Sequence, residues 1–482
     1  MRPDRGAATR PAATPGSSAL PRWRVFAPLA LGTIMATLDI SVVNIALPTL
    51  ARAFRVSLTT VEWVVLAYVV TITGLLLTLG RLADRVGRRR VYGLGLAIFT
   101  AASALCAAAP GVHGLIAARA LQGLGAAMMT ANSSAILISS FPESERGRAL
   151  GAFGAMVGVG LALGPPIGGM LVQLSWRWIF IINLPIGILA LVQLRAQVPP
   201  DPPAARVAAP AASLPAAALW CATLVLVMLG LSRGPENGWT NPAVWLLFAA
   251  AALALAAFLA VERRAAAPLL PLDALRGPLG RAVLLTLLGQ MLSIAVGFHM
   301  PLFLEEVMGF DAARSGRWLA VVPLVALLAA PLAGRWADRW GSARLVSLGL
   351  AITAAGLSVL TRIAVAPAPL LVLGGLALAG LGLGLFAVPN ASTVMSAVAG
   401  ERLGLAAGLQ ATMRNLGIAA GAAAATAILA SRYRVHGGGL MRSMGHGGFS
   451  TLAFAEASRD LYLVLAALAV LALLISRRPA RA

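Results

Sequence analysis

Fourteen apolar runs, most close to twenty residues long, follow one another along the chain with short charged segments between them. They lie near 25–48, 61–80, 91–109, 112–139, 149–174, 178–194, 214–231, 243–261, 282–303, 318–334, 345–365, 370–391, 405–430 and 461–475. A helix of that length crosses a hydrocarbon core of about 30 Å, and lipid leaves backbone groups no partner outside a helix or a closed barrel. The pattern therefore predicts an all-α polytopic membrane protein with 14 transmembrane helices. Residues 1–22, rich in Pro, Ala, Ser and Arg, have no apolar face and predict a disordered tail. The run after them carries Asp39 and lacks a small-residue cleavage site, so it does not read as a signal peptide. A Pro-rich linker, Pro199–Pro210, parts the sixth and seventh runs, and a Gly-rich polar loop at 431–460 parts the last two.

Composition adds a class and charge adds an orientation. Of 482 residues 59% are hydrophobic and 11% charged, with a mean hydropathy of +0.86, which excludes a soluble domain. The net charge of +21 comes from 38 Arg and no Lys, scattered in short clusters with no basic domain, so it does not point to nucleic acid. With the N-terminus inside, 25 Arg fall in inner segments and 11 in outer ones, while Arg119 and Arg414 fall within runs. The positive-inside rule then places both termini in the cytoplasm and the protein in the cell membrane. Cys106 and Cys221 lie in different runs, and His436 and His446 lack further ligands nearby, so neither a disulfide framework nor a metal site is expected. There is no phosphate loop, hence no nucleotide, and no cofactor is implied; the Gly-rich run at 374–384 reads as helix-packing material.

Several motifs carry candidate chemistry. Gly80–Arg90 (GRLADRVGRRR) packs six charges into eleven residues, and Gly334–Arg344 (GRWADRWGSAR) repeats its Gly, Arg, Ala-Asp-Arg, Gly and final Arg. Such long-range self-similarity points to duplication. Gly80 and Gly334 would let helices approach closely. Asp84, with Arg85, Gly87 and Arg88, would latch onto an Arg or a helix N-terminus across an interface in one conformation, and Asp338, Arg339 and Gly341 would act likewise. The plainer alternative is a positive-inside charge cluster. Asp39 is the one acid of 17 placed deep in a run; an ionised carboxylate is costly there, which suits a group that carries a proton. Arg119 and Gln122 share a helix face, where Arg119 could pair with a carboxylate, polarise it, contact substrate, or simply anchor a helix end. Gly160, Gly164 and Gly168 recur every four residues as a strip for close contact, with Pro165 and Pro166 kinking the helix and Gly169 following. Trp63, Tyr68, Trp176 and Trp178 read as interfacial-belt or packing aromatics. Gln290, His299 and Asn390 would line a cavity or hydrogen-bond a neighbouring helix, and Glu305 and Glu306 end the ninth run.

Taken in order from Leu38 to about Gly421, these motifs resemble the major facilitator superfamily, and within it the fourteen-span drug:proton antiporters. The resemblance rests on the two charged loops, LDISVVNIALP at Leu38–Pro48, Arg119-x-x-Gln122-Gly123, GVGLALGPPIGG at Gly158–Gly169, and WRWIFIINLPIG at Trp176–Gly187. Ser41 replaces a customary residue, and the Glu305–Glu306 pair departs from the family's usual Gln. Eight runs separate the two loops where a twelve-span member has six, so two helices, the seventh and eighth, are inserted. The resemblance implies two six-helix bundles around a central cavity, at 23–196 and 281–482, with the linker and extra helices at 197–280. It implies a proton-coupled antiporter that exports an amphipathic small molecule by alternating access, its partners being that substrate, protons and the lipid bilayer. Asp39 and Arg119 would couple the proton, Gln122, Gln290, His299 and Asn390 would face the substrate, and the Gly-Pro motif marks an exporter. A metabolite transporter on the same fold is the first alternative. A membrane enzyme is the second, and it would need a cluster of acids or His at one face that the sequence lacks.

Overall fold

The computed structural model describes residues 19–201, 214–265, 277–364, 368–397, 403–437 and 450–477. Most of the expected tail, most of the Pro-rich linker and His446 lie outside these residues. Every predicted run is a helix. In chain order they are α1 (Ala19–Phe54), α2 (Leu58–Val86), α3 (Arg88–Ala108), α4 (Val112–Ser140), α5 (Glu143–Leu174), α6 (Trp178–Gln197) and α7 (Leu214–Asn237). Then come α8 (Pro242–Arg264), α9 (Gly277–Glu306), α10 (Ala312–Leu319 continued by Val321–Trp340), α11 (Ser342–Leu360), α12 (Pro369–Ser396), α13 (Leu403–Val435) and α14 (Thr451–Arg477).

Among the described residues 13 helices are long and apolar enough to cross a membrane. The fourteenth, α4, has 29 residues, enough for about 43 Å, but buries Arg119, Gln122 and Asn132. It meets protein on two sides, packing against α2 and α3. The last helix starts about ten residues before its predicted run. Its first turns hold Glu456, Arg459 and Asp460, which read as loop. Two of these acids instead meet His436 from the preceding helix, at 2.9 Å (Glu456) and 3.0 Å (Asp460).

The duplication legible in the charged loops extends to the packing. In the first bundle α1 packs on α5 and α6, α4 on α2 and α3, and α3 on α6; in the second, α9 packs on α13 and α14, α12 on α10 and α11, and α11 on α14. Gly95 meets Gly125 where α3 crosses α4, and Gly349 meets Gly382 where α11 crosses α12. The bundles touch along α2–α13, α5–α10 and α1–α9. The inserted pair α7–α8 lies outside both, with α7 laid over α2 and α13.

The helix order puts both charged loops, the start of α1 and the end of α14 at one end of the bundle, here the loop end. Gly80 and Gly334 are not close-approach sites: a β-carbon at Gly80 would reach Ala131 only at 3.8 Å, and one at Gly334 would meet nothing within 4 Å. The glycines that matter are Gly87 and Gly341, at the matched later position. Each ends its helix with an N–H bonded back at 2.9 Å, to Ala83 O and Ala337 O, and each turns with φ of +114° and +86°. Side-chain-bearing residues rarely adopt that conformation.

Asp84 does not reach across to the other bundle in this state. It pairs with Arg88 of its own loop at 2.9 Å, half exposed, and so leaves the proposed latch disengaged. The acid that meets a helix N-terminus here is Asp201, beyond α6. Its carboxylate accepts from the backbone N–H groups of Arg89 (2.9 Å) and Arg90 (3.1 Å) and so caps α3. Asp201→Ala should lower stability by about 1 kcal/mol. Thermal unfolding in detergent should show the loss, with Asp201→Asn, which keeps an acceptor oxygen, less affected.

The far end is tied shut between bundles. Arg52 at the end of α1 reaches Glu305 (2.5 Å) and Glu306 (3.4 Å) at the end of α9. The acidic pair that departs from the family pattern is thus an inter-bundle ion-pair anchor. Arg52→Glu places three acids together and should open this end, raising hydrogen exchange at the α1 and α9 termini. Restoring opposite charges with Glu305→Arg should reverse the effect.

Candidate functional site

Asp39 lies fully buried near the middle of α1, where side chains of α4 and α6 reach it and those of α2 and α3 hold its partners. Arg119 of α4 donates from Nη1 to Asp39 Oδ2 at 2.5 Å. Gln122, one turn on, donates from Nε2 to Oδ1 at 3.0 Å, and Asn183 of α6 donates to the same oxygen at 2.9 Å. The i, i+3 spacing that places Arg119 and Gln122 on one face thus aims both at one carboxylate. Arg119 is held in turn by Val64 O on α2 (2.8 Å, from Nε) and by Gln122 Oε1 (2.6 Å). Its guanidinium lies 4.2 Å over the Tyr68 ring of α2, with the Phe180 ring at 5.9 Å. Ser103 of α3 accepts from Gln122 at 2.8 Å, and Cys106 touches the same Gln.

Asp39, Arg119, Gln122, Asn183, Ser103 and Tyr68 are all shut off from solvent. Two charges so deeply desolvated are tolerable only because each oxygen and nearly every nitrogen is bonded. Within the cluster Nη2 of Arg119, the Tyr68 hydroxyl and Asn183 Oδ1 lack a hydrogen-bond partner.

Asp39 is not the only enclosed acid. Glu62 at the start of α2 is fully buried and Glu262 at the end of α8 nearly so. The sequence pattern placed both only at run ends.

The Gly-Pro motif holds this site in place. A β-carbon at Gly160 or Gly164 of α5 would collide with Thr37 or Ser41 of α1, and one at Gly168 would crowd Val42 at 3.1 Å, all residues flanking Asp39. One at Gly169 would strike the backbone of Ala312 and Ala313 on α10, and one at Gly316 the carbonyl of Pro165. The same short stretch therefore clamps the Asp39 helix on one side and contacts the second bundle on the other. The helix runs on through Pro165 and Pro166 without a break.

The second-bundle residues expected to face substrate are spread out. His299 is fully buried, bonding Tyr462 (3.0 Å) and Ser458 (2.8 Å) of α14 and stacking on Phe454. Asn390 donates to Ala282 O (3.0 Å) and Thr286 (2.8 Å) of α9. Both staple helices of the second bundle to each other, which satisfies polar groups that lipid cannot. Gln290 is half-buried on α9 against Gly417 of α13. Gln122 belongs to the Asp39 cluster.

Asn183, Ser103 and Tyr68 were missed as site residues. Asn183 and Tyr68 sit in stretches singled out for their aromatics, and nothing in their spacing says that they share a neighbour with Asp39. Trp176, expected at the interface, is largely buried against Phe54 and Phe180, while Trp178 is exposed. Asp338's side chain lies outside the described residues.

This architecture, with its duplicated six-helix bundles and sealed intramembrane ion pair, is that of a polytopic transporter. Residues 29–422 match the family model of the Major Facilitator Superfamily, and the chain belongs to that family of membrane transporters. The cephamycin export protein CmcT of Amycolatopsis lactamdurans is 39% identical over 401 residues, covering 81% of each chain. The riboflavin transporter RibZ of Clostridioides difficile is 33% identical over 410 residues, covering 83% of this chain and 87% of its own. Among solved structures, a bacterial homologue of the human lysosomal transporter Spinster, inward-facing and occupied, superimposes with a TM-score of 0.66 at 16% identity, covering 95% of this chain and 97% of its own. That likeness carries the fold alone.

Proposed function

We propose that this protein is a proton-coupled antiporter that exports an amphipathic small molecule, of drug or antibiotic type, across the cell membrane. The observation that carries the reading is the Asp39–Arg119 pair, fully enclosed and reached by five helices of one bundle. Its two protonation states make different demands on those helices. Ionised, Asp39 holds the Arg119 charge; protonated, it keeps Gln122 and Asn183 as donors but no longer balances the guanidinium. The strain on α1 passes through Gly160, Gly164 and Gly168 into α5 and through Gly169 into α10, so one proton can bias the contact between bundles. The bundles at 23–196 and 281–482 then rock about the site, with 197–280 riding outside them, both termini in the cytoplasm, and the inward proton gradient driving export. The Gly-Pro motif and the cephamycin-exporting relative support the direction.

The riboflavin-transporting relative supports a second reading, a metabolite carrier on the same fold. Proteoliposomes with an imposed pH gradient separate these readings. Antiport predicts that an amphipathic dye or β-lactam moves against the proton flow and stops when the gradient is collapsed. Gradient-independent transport of a flavin, with no drug movement, overturns it.

A further inference from the structure

Glu62 is the one acid that the site above does not use and that the fold leaves without a hydrogen bond among the described carboxylates of the seam between bundles. It opens the long part of α2 at the far end and is fully buried, and neither of its carboxylate oxygens makes a hydrogen bond. The polar side chain that bears on it belongs to the other bundle: the Thr426 hydroxyl of α13 is placed to donate to it, though short of full hydrogen-bond geometry. The inserted helix α7 closes over this place. Trp63, next in the chain, donates to Ser232 of α7 at 3.2 Å. Glu236 at the end of α7 accepts from Ser57, just ahead of α2, and from Thr59 in its first turn. Arg434 of α13 donates to the carbonyls of Pro235 and Glu236, and Trp239 donates to Ser431 of α13 at 2.9 Å. The inserted pair thus clasps α2 and α13 together over Glu62.

Among the described residues no charge is placed to balance Glu62: Arg414, the cation inside α13, lies twelve residues before Thr426, about 18 Å along the helix. On the elements packed around it, Arg119 is committed to Asp39 and Val64, Arg52 to Glu305 and Glu306, Arg432 to Asp460, and Arg434 to the two carbonyls. Glu236 is committed to Ser57 and Thr59, while Arg55 and Arg233 are exposed. An ionised carboxylate enclosed without a partner is a heavy penalty. In this closed arrangement the group has no contact with water.

We infer that Glu62 is a second proton-accepting group, one that must be neutral for the α2–α13 seam to close at the far end. It takes a proton from the far side as the seam shuts and gives it back as the seam opens. This rests on the proton-coupled reading above and deepens it: Asp39 would register the proton inside one bundle, Glu62 at the join between two.

Hydrogen exchange of the full-length protein in nanodiscs, corrected for intrinsic rates and followed at the far ends of α1, α2, α9 and α13, tests this. Between about pH 6 and about pH 8 the wild type should open, its closed-to-open ratio falling by up to about tenfold per pH unit, the limit for one linked proton. Glu62→Gln, a neutral isostere, should stay protected at both values, and Glu62→Asp should keep the pH response. The same set in an Asp39→Asn background separates the two readings, since the Glu62 response should survive loss of proton-driven transport. Unchanged pH dependence in Glu62→Gln, or none in the wild type, overturns the inference.

Discussion

Asp39→Asn should abolish proton-driven transport in proteoliposomes while the protein still folds; Arg119→Ala should abolish transport and destabilise the fold as well. The difference follows from what each change leaves behind. Asparagine is nearly isosteric and can still engage Gln122 and Asn183, but it cannot alternate between charged and neutral. Removing Arg119 leaves an enclosed carboxylate with only neutral donors, and breaking a buried pair from one side costs about 3–5 kcal/mol. Arg119→Lys keeps the charge but not the geometry that spans Asp39, Gln122 and Val64 O at once. It should fold better than Arg119→Ala and transport no better. Thermal unfolding read beside substrate flux checks all three. Full proton-coupled flux in Asp39→Asn would remove the coupling role from this site.

Gly169→Val should reduce transport at least tenfold with near-normal expression, and more severely than Gly160→Ala. At Gly169 a side chain would run into the backbone of Ala312 on α10. Backbone cannot rotate away, so the two bundles could not close there, and interiors transmit such a displacement because they are close-packed. At Gly160 the nearest obstacle is the Thr37 side chain, with the Ile34 carbonyl behind it at 3.1 Å. Thr37 is bonded to the carbonyls of Thr33 and Ile34 and can give by a rotamer. Exchange at the far ends of α1 and α9 should rise in Gly169→Val. Transport equal to wild type would mean that the α5–α10 contact is not part of the cycle.

The helices were legible because lipid permits little else: a run of about twenty apolar residues is read the same way wherever it falls. The ends were legible only where charge and solvent coincide. Glu456, Arg459 and Asp460 looked like loop until His436 and Arg432 supplied partners across a turn of chain. Of the two glycines in each charged loop, the pattern could not say which one mattered. Local backbone conformation decides that, and it chose Gly87 and Gly341. The ion pair of Glu305 and Glu306 was hidden because their partner, Arg52, is some 250 residues away in sequence.

By itself, then, the sequence determined the membrane class, the span count, the duplication and the presence of a carboxylate and an Arg, Asp39 and Arg119, inside apolar runs, since each follows from composition, period or position. Only the tertiary structure decided which groups meet. It brought Asn183, Ser103 and Tyr68 to Asp39, withdrew His299 and Asn390 into helix-to-helix bonds, left Asp84 on its own loop, and set Glu62 unpaired between two bundles. The reason is physical: along a helix a residue's spacing fixes its face, but what that face meets depends on which other helix the fold lays against it.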